Sequence, residues 1–152
     1  MTLYLSKSKY CAGIQCPKML WLRKNKPEEA TPIMNQAVLE TGNKVGDLAM
    51  GLFGDFTEVP FGDFNEMIAT TKDLLASGEK IIAEASFSYD GLFCSVDILK
   101  RLGDNTVEIY EVKSSTEVKP VYLDDVAYQH YVLSKLGYNV AKTCIVHINN
   151  QY

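Results

Sequence analysis

An α+β fold, with helices first and then a mixed central β-sheet flanked by helices, is what this 152-residue sequence predicts. Three observations carry that prediction. Up to Gly78 the apolar residues recur at helical spacing. From Lys80 to Lys113 the period shortens to that of strands, broken by the turn signals "DG" and "GDN". After Pro120 a second helical stretch is followed by one more strand-like run.

Taken in order, Ser6 and Ser8 are suitable N-caps for a short first helix. Pro17 fits the first turn of a second helix, with Met19, Leu20 and Leu22 on one side and Trp21 near its edge, before "KNKPEEATP" breaks it. Between residues 33 and 53, apolar positions 34, 37, 38, 45, 48, 49 and 52 predict a helix interrupted by Gly42 and Gly46 and stopped by Gly54. Asp63 and Glu66 have capping-box spacing at the head of the next helix, and Gly78 suits its C′ position. Strands follow over 80–89, 92–102 and 106–113. The Asp90–Gly91 hairpin turn joins the first two, and the loop 103–105 joins the next two. A helix over 121–136, closed by Gly137, leads to a last strand over 139–148.

This is one domain's worth of chain. It divides into a basic helical segment over 1–30, helices over 31–78, and a sheet-and-helix core over 79–152. The abrupt end after a strand suggests the front part of something longer, with further domains or partner proteins. No apolar run approaches the roughly 20 residues that span a bilayer, and the N-terminus lacks the apolar core of a secretory signal. A cytoplasmic protein without membrane contact is therefore expected, with Cys11, Cys16, Cys94 and Cys144 as reduced thiols. Net charge is −4, but Lys7, Lys9, Lys18, Arg23, Lys24 and Lys26 fall within residues 1–27, where there is no acid. That segment is either a solvated helix face or a surface for phosphates, with Lys7, Lys9, Lys18, Arg23 and Lys24 as the candidates.

The stretch "VEIYEVKSST" carries Glu111 and Lys113 on one face of a strand. A loop centred on Asp104 sets Asp97 opposite Glu111, so three ionisable groups converge on one patch of sheet, with Glu84 approaching from the preceding strand. Two carboxylates so placed suit Mg²⁺ or Mn²⁺, which prefer hard oxygen ligands. A lysine beside them would position a water and offset charge developing on a phosphate. The competing reading is a cross-strand ion cluster at a sheet edge, worth little in stability.

The ordered set Glu84, "GLFCSVD" ending at Asp97, "EVK" at 111–113 and "YQHY" containing Gln129 and Tyr131 resembles the PD-(D/E)XK nuclease superfamily, in its RecB-like branch that includes the CRISPR-adaptation exonucleases. "YLSKSKYCAGIQCPKMLWL" is similar to that branch's opening. The resemblance implies a restriction-endonuclease-like fold and a metal-dependent DNA nuclease, leaning towards exonuclease. It assigns Asp97, Glu111 and the Val112 carbonyl as metal ligands, Lys113 as the catalytic lysine, and Gln129 as the helix residue orienting lysine or substrate, with Tyr131 as a further match. The branch's extra histidine ligand, four residues after a glycine, is replaced here by Gly46, leaving Glu40 as a substitute. Cys16 matches one ligand of the iron–sulfur members, but no C-terminal cysteine triplet follows, so no cluster is expected in this chain. The alternative function is a catalytically weak or inactive nuclease-like module that binds nucleic acid or a partner.

Overall fold

A computed structural model describes residues 4–29 and 36–151. A two-residue strand β1 (Leu5–Ser6) runs directly into helix α1 (Lys7–Gln15). The Ser6 hydroxyl caps that helix by accepting from the Lys9 amide. Helix α2 (Pro17–Asn25) begins with proline at its first turn, where a missing N–H costs nothing. Helix α3 (Gln36–Met50) continues without a break through Gly42 and Gly46, then tightens into a 3₁₀ turn over Gly51–Phe53. The two glycines do not interrupt it, since each costs only about 1 kcal/mol against alanine in a helix. The part of the expected helix containing Ile33 and Met34 lies outside the described residues.

After the short strand β2 (Thr57–Glu58), helix α4 (Phe64–Ala76) is capped by Asp63, which accepts from the amide of Asn65 and not, as a capping box would have it, of Glu66. Gly78 takes the left-handed conformation (φ 86°) that ends the helix. The meander follows as expected: β3 (Ile81–Tyr89), a turn with positive φ at Asp90 and Gly91, β4 (Leu92–Arg101) and β5 (Thr106–Lys113). Helix α5 (Pro120–Lys135) then crosses over to β6 (Asn139–His147), which pairs parallel with β5.

The sheet has the order β2-β3-β4-β5-β6 and is mixed: β3, β4 and β5 are antiparallel, while β2 and β6 add in parallel at the two sides. The chain therefore has an α+β fold, an open six-stranded sheet flanked by five α-helices among the described residues. Beneath α4 and α5 the main core gathers Met67, Ile82, Val96, Leu99, Ile109, Tyr128, Val132 and Leu133. A smaller core on Ile81, Ile98 and Tyr110 is covered by Ala49 and Phe53 at the end of α3. No described helix is long and apolar enough to cross a membrane.

The two shortest strands were not expected from sequence, and one of them shapes the site. β4 pairs with β5 from Arg101–Val107 to Ile98–Tyr110, and there the ladder stops although both strands continue. The far half of β4 takes β1 as its neighbour instead, Leu5 beside Leu92 and Ser6 beside Phe93. The sheet thus parts between β4 and β5, and β1 delivers the start of α1 into the gap.

Candidate functional site

Asp97 and Glu111 sit at the point of parting. The ladder register is the one the loop length predicts, with Ile98 opposite Tyr110 and Leu99 opposite Ile109. One step further the Asp97 carboxylate replaces the missing backbone partner: its Oδ2 accepts from the Val112 amide at 2.7 Å. On β3, Glu84 also interrupts its ladder, lying between the pairs Ala83–Ile98 and Ala85–Val96 with φ of 56°. A left-handed glutamate inside a strand is strained backbone, of the kind that persists where surrounding structure dictates it.

Glu111 is 3% exposed and receives hydrogen bonds from three side chains. Lys113 Nζ donates to its Oε1 at 2.8 Å, and Gln129 Nε2 to its Oε2 at 2.7 Å. Lys7 Nζ lies 2.9 Å from both oxygens. The same three donors meet Asp125 of α5: Lys113 at 2.6 Å, Gln129 at 2.9 Å and Lys7 at 3.1 Å. Two carboxylates and two ammoniums thus alternate around a buried amide. Gln129 is wholly buried, and with its NH₂ committed to two carboxylates its Oε1 has no hydrogen-bond partner.

Charge is unevenly compensated across this cluster. For Lys7, burial disfavours the charge, but Glu111, Asp97 and Asp125 more than offset it and hold the ammonium above the usual lysine range. Lys113 is raised on the same balance, burial outweighed by Glu111 and Asp125. Asp125 is buried too, yet Lys7 and Lys113 keep it below the ordinary carboxylate value. Asp97 is the opposite case: burial and the neighbouring Glu111 push it up to about 7, against the pull of Lys7 and the Val112 amide. Burial likewise raises Glu84.

Among the described residues, clefts open onto the cluster from three directions. The largest, of about 420 Å³, runs between α3 and the sheet and is lined by Gly42, Gly46, Asp47, Glu84, Asp97 and Lys113, among others. A second, shared at Glu84 and Asp97, is lined by Lys7 and Ser95. A third leads from Lys113 and Asp125 past Met19 to Arg23. Tyr122 lines the first and third, its ring 5.1 Å from Lys113 Nζ.

Of the residues singled out from sequence, Asp97, Glu111, Lys113 and Gln129 come together, with Glu84 at the cleft and Val112 holding Asp97 through its amide. Glu40 does not join them; it is exposed on α3, and the acids lining the cleft from α3 and β2 are Asp47 and Glu58. Tyr131 also lies elsewhere, 48% exposed against Tyr89. Two residues beyond Gln129 is about 200° around a helix, which turns it away. Lys7 is not on an open phosphate-facing surface but inside the cluster, 17% exposed. Lys9, Lys18 and Lys24 are exposed, and Arg23 reaches the third cleft. All four cysteines are free; Cys16 is exposed at the junction of α1 and α2.

Two residues were not placed in the cluster by the sequence reading: Asp125, which it did not single out, and Lys7, which it set on a phosphate-facing surface. Asp125 had a signal, since it stands four residues before Gln129 and so shares its helix face. Lys7 had none, because its partner Glu111 is 104 residues away.

Among the described residues, no three His, Cys, Asp or Glu side chains are gathered as a ready-made metal site. The oxygen donors nonetheless suit a hard divalent cation. Asp97 and Glu84 line the open cleft and burial raises both, whereas Glu111 and Asp125 are already paired with Lys7 and Lys113. Fold and site together define a class: an α+β protein whose open mixed sheet parts over a buried carboxylate–lysine–amide cluster. No protein-family model matches the chain, and no curated protein matches it.

Proposed function

We propose that the chain is a metal-dependent phosphodiester hydrolase acting on DNA. The observation that carries this reading is the convergence of Asp97, Glu111, Lys113 and Gln129 from β4, β5 and α5 beside an open cleft. DNA as substrate, and the leaning towards exonuclease, rest on the resemblance to RecB-like nucleases. Asp97, Glu111 and the Val112 carbonyl would hold Mg²⁺ or Mn²⁺. Such a cation lowers the pKa of a bound water and polarises a phosphoryl oxygen.

The protein's own groups do the rest. Lys113 is anchored at Glu111 Oε1 and Asp125 Oδ2 and lines the cleft. Its raised pKa keeps it cationic at neutral pH. It therefore works as a hydrogen-bond donor to the attacking water and to the phosphate, not as a base. Gln129 is a positioning residue, since its NH₂ fixes both Glu111 and Asp125. Lys9, Lys18, Arg23 and Lys24 supply positive charge to guide the strand.

The test is cleavage of labelled single- and double-stranded DNA with Mn²⁺ or Mg²⁺ and with chelator. Chelator-sensitive cleavage is expected, falling about 10²-fold or more in Asp97→Asn and in Lys113→Met. Cleavage that survives both substitutions sinks the assignment. A second reading, a nuclease-like module that binds nucleic acid or a partner without cutting, is favoured by one contact: Lys7 already holds both oxygens of Glu111. It predicts DNA affinity with no metal-stimulated cleavage.

A further inference from the structure

Lys7 comes from a different part of the chain than the other donors to Glu111. Lys113 stands two residues away on the same strand, and Gln129 is wholly buried in α5. Lys7 reaches in from the first turn of α1, carried there by β1. Its backbone is held firmly: Leu5 donates to Gly91, the Tyr128 hydroxyl donates to Leu5, and Tyr4 packs on Phe64 and Phe93. What can move is the four-carbon side chain.

An ammonium has three N–H donors. Lys7 donates to Glu111 Oε1 and Oε2, both at 2.9 Å, and forms an ion pair with Asp125 Oδ1 at 3.1 Å. A divalent cation that takes Glu111 as ligand must use the same oxygens and brings two further positive charges to the same spot. Both cannot be held by Glu111 at once without strong repulsion. The side chain has somewhere to go, because Lys7 also lines the second cleft, which extends away from the carboxylates along Ser8, Phe64 and Ser95.

We propose that Lys7 is a built-in, displaceable cation: it holds Glu111 and Asp125 together in the metal-free protein and competes with the divalent metal for Glu111. This rests on the metal-dependent reading above. Lys7 then sets the metal concentration at which the site fills. By linkage, metal binding must release Lys7 as strongly as Lys7 weakens metal binding.

Two measurements on the full chain test this. In calorimetric titration with Mn²⁺, Lys7→Met should bind about tenfold or more tightly than wild type. Lys7→Arg, which keeps the charge, should bind no more tightly than wild type. In wild type itself, Lys7 should be protected from an amine-acylating reagent without metal and become reactive at saturating Mg²⁺, read by mass spectrometry of the modified peptide. Mn²⁺ affinity unchanged or weaker in folded Lys7→Met overturns the proposal while leaving a metal site standing. Continued protection of Lys7 at saturating Mg²⁺ does the same without any variant. If neither wild type nor Lys7→Met binds Mn²⁺, this proposal and the metal-dependent reading fail together.

Discussion

Asp97 shows how a single side chain can be required in place and yet unfavourable as a charge. It caps the Val112 amide where the β4–β5 ladder stops, but burial beside Glu111 raises its pKa to about 7. An unfolded aspartate titrates near 3.9, so between about pH 4 and 7 the folded state binds the extra proton. Stability from this residue is therefore fully present below about pH 4 and is lost as pH rises through 7. Asp97→Asn keeps an acceptor for Val112 and removes the charge. In metal-free urea titrations it should be more stable than wild type at pH 8, on the order of 2 to 4 kcal/mol, with the difference vanishing near pH 4. A gap that does not depend on pH would contradict this account. At this scale the sequence was informative wherever turn length fixes register. The three-residue loop at 103–105 was enough to set the register as far as Ile98 opposite Tyr110, one step short of Asp97 and Glu111, where the ladder stops. Lys7 looked like one of several surface lysines, because nothing local marks a contact formed only in the folded chain.

At the scale of elements, β1 has an influence out of proportion to its two residues. It takes up the edge of β4 that β5 leaves, and one hydroxyl secures it: Tyr128 accepts from the Phe93 amide at 3.2 Å and donates to the Leu5 carbonyl. Tyr128→Phe keeps the ring packing, including the contact with Tyr10, but leaves a buried amide unpaired. It should lower unfolding free energy by about 1 to 2 kcal/mol with an unchanged denaturant slope. A change within a few tenths would mean that the hydroxyl is replaceable by water. The longer elements were readable in advance because caps and turns announce them: Pro17, Asp63, Gly78, the Asp90–Gly91 turn and Gly137 all stand where the physics of ends requires. Strands of two residues, such as β1 and β2, are too short to show a period. Gly42 and Gly46 misled in the other direction. They face the cleft from within an unbroken helix, and a Cβ at Gly46 would meet nothing within 4 Å.

For the whole molecule, the β1 contact has a consequence in time. Leu5 is bonded to Gly91 and Tyr128, and Lys7 to Glu111, so β1 and the start of α1 depend on side-chain partners 123 and 104 residues further along the chain. The hairpins β3–β4 and β4–β5 and the β5–α5–β6 unit are local by comparison and close small loops. In refolding followed by pulsed hydrogen exchange, amides of β3, β4 and β5 should gain protection before those of Leu5 and the start of α1. Simultaneous protection would show the N-terminal strand to be part of the folding nucleus. If the order holds, Glu111 of β5 and Asp125 of α5 come together around Lys113 before Lys7 arrives as their second cation. The basic leading segment then acts as an internal counter-charge held in reserve, closing the acidic gap in the sheet only once there is a sheet to close.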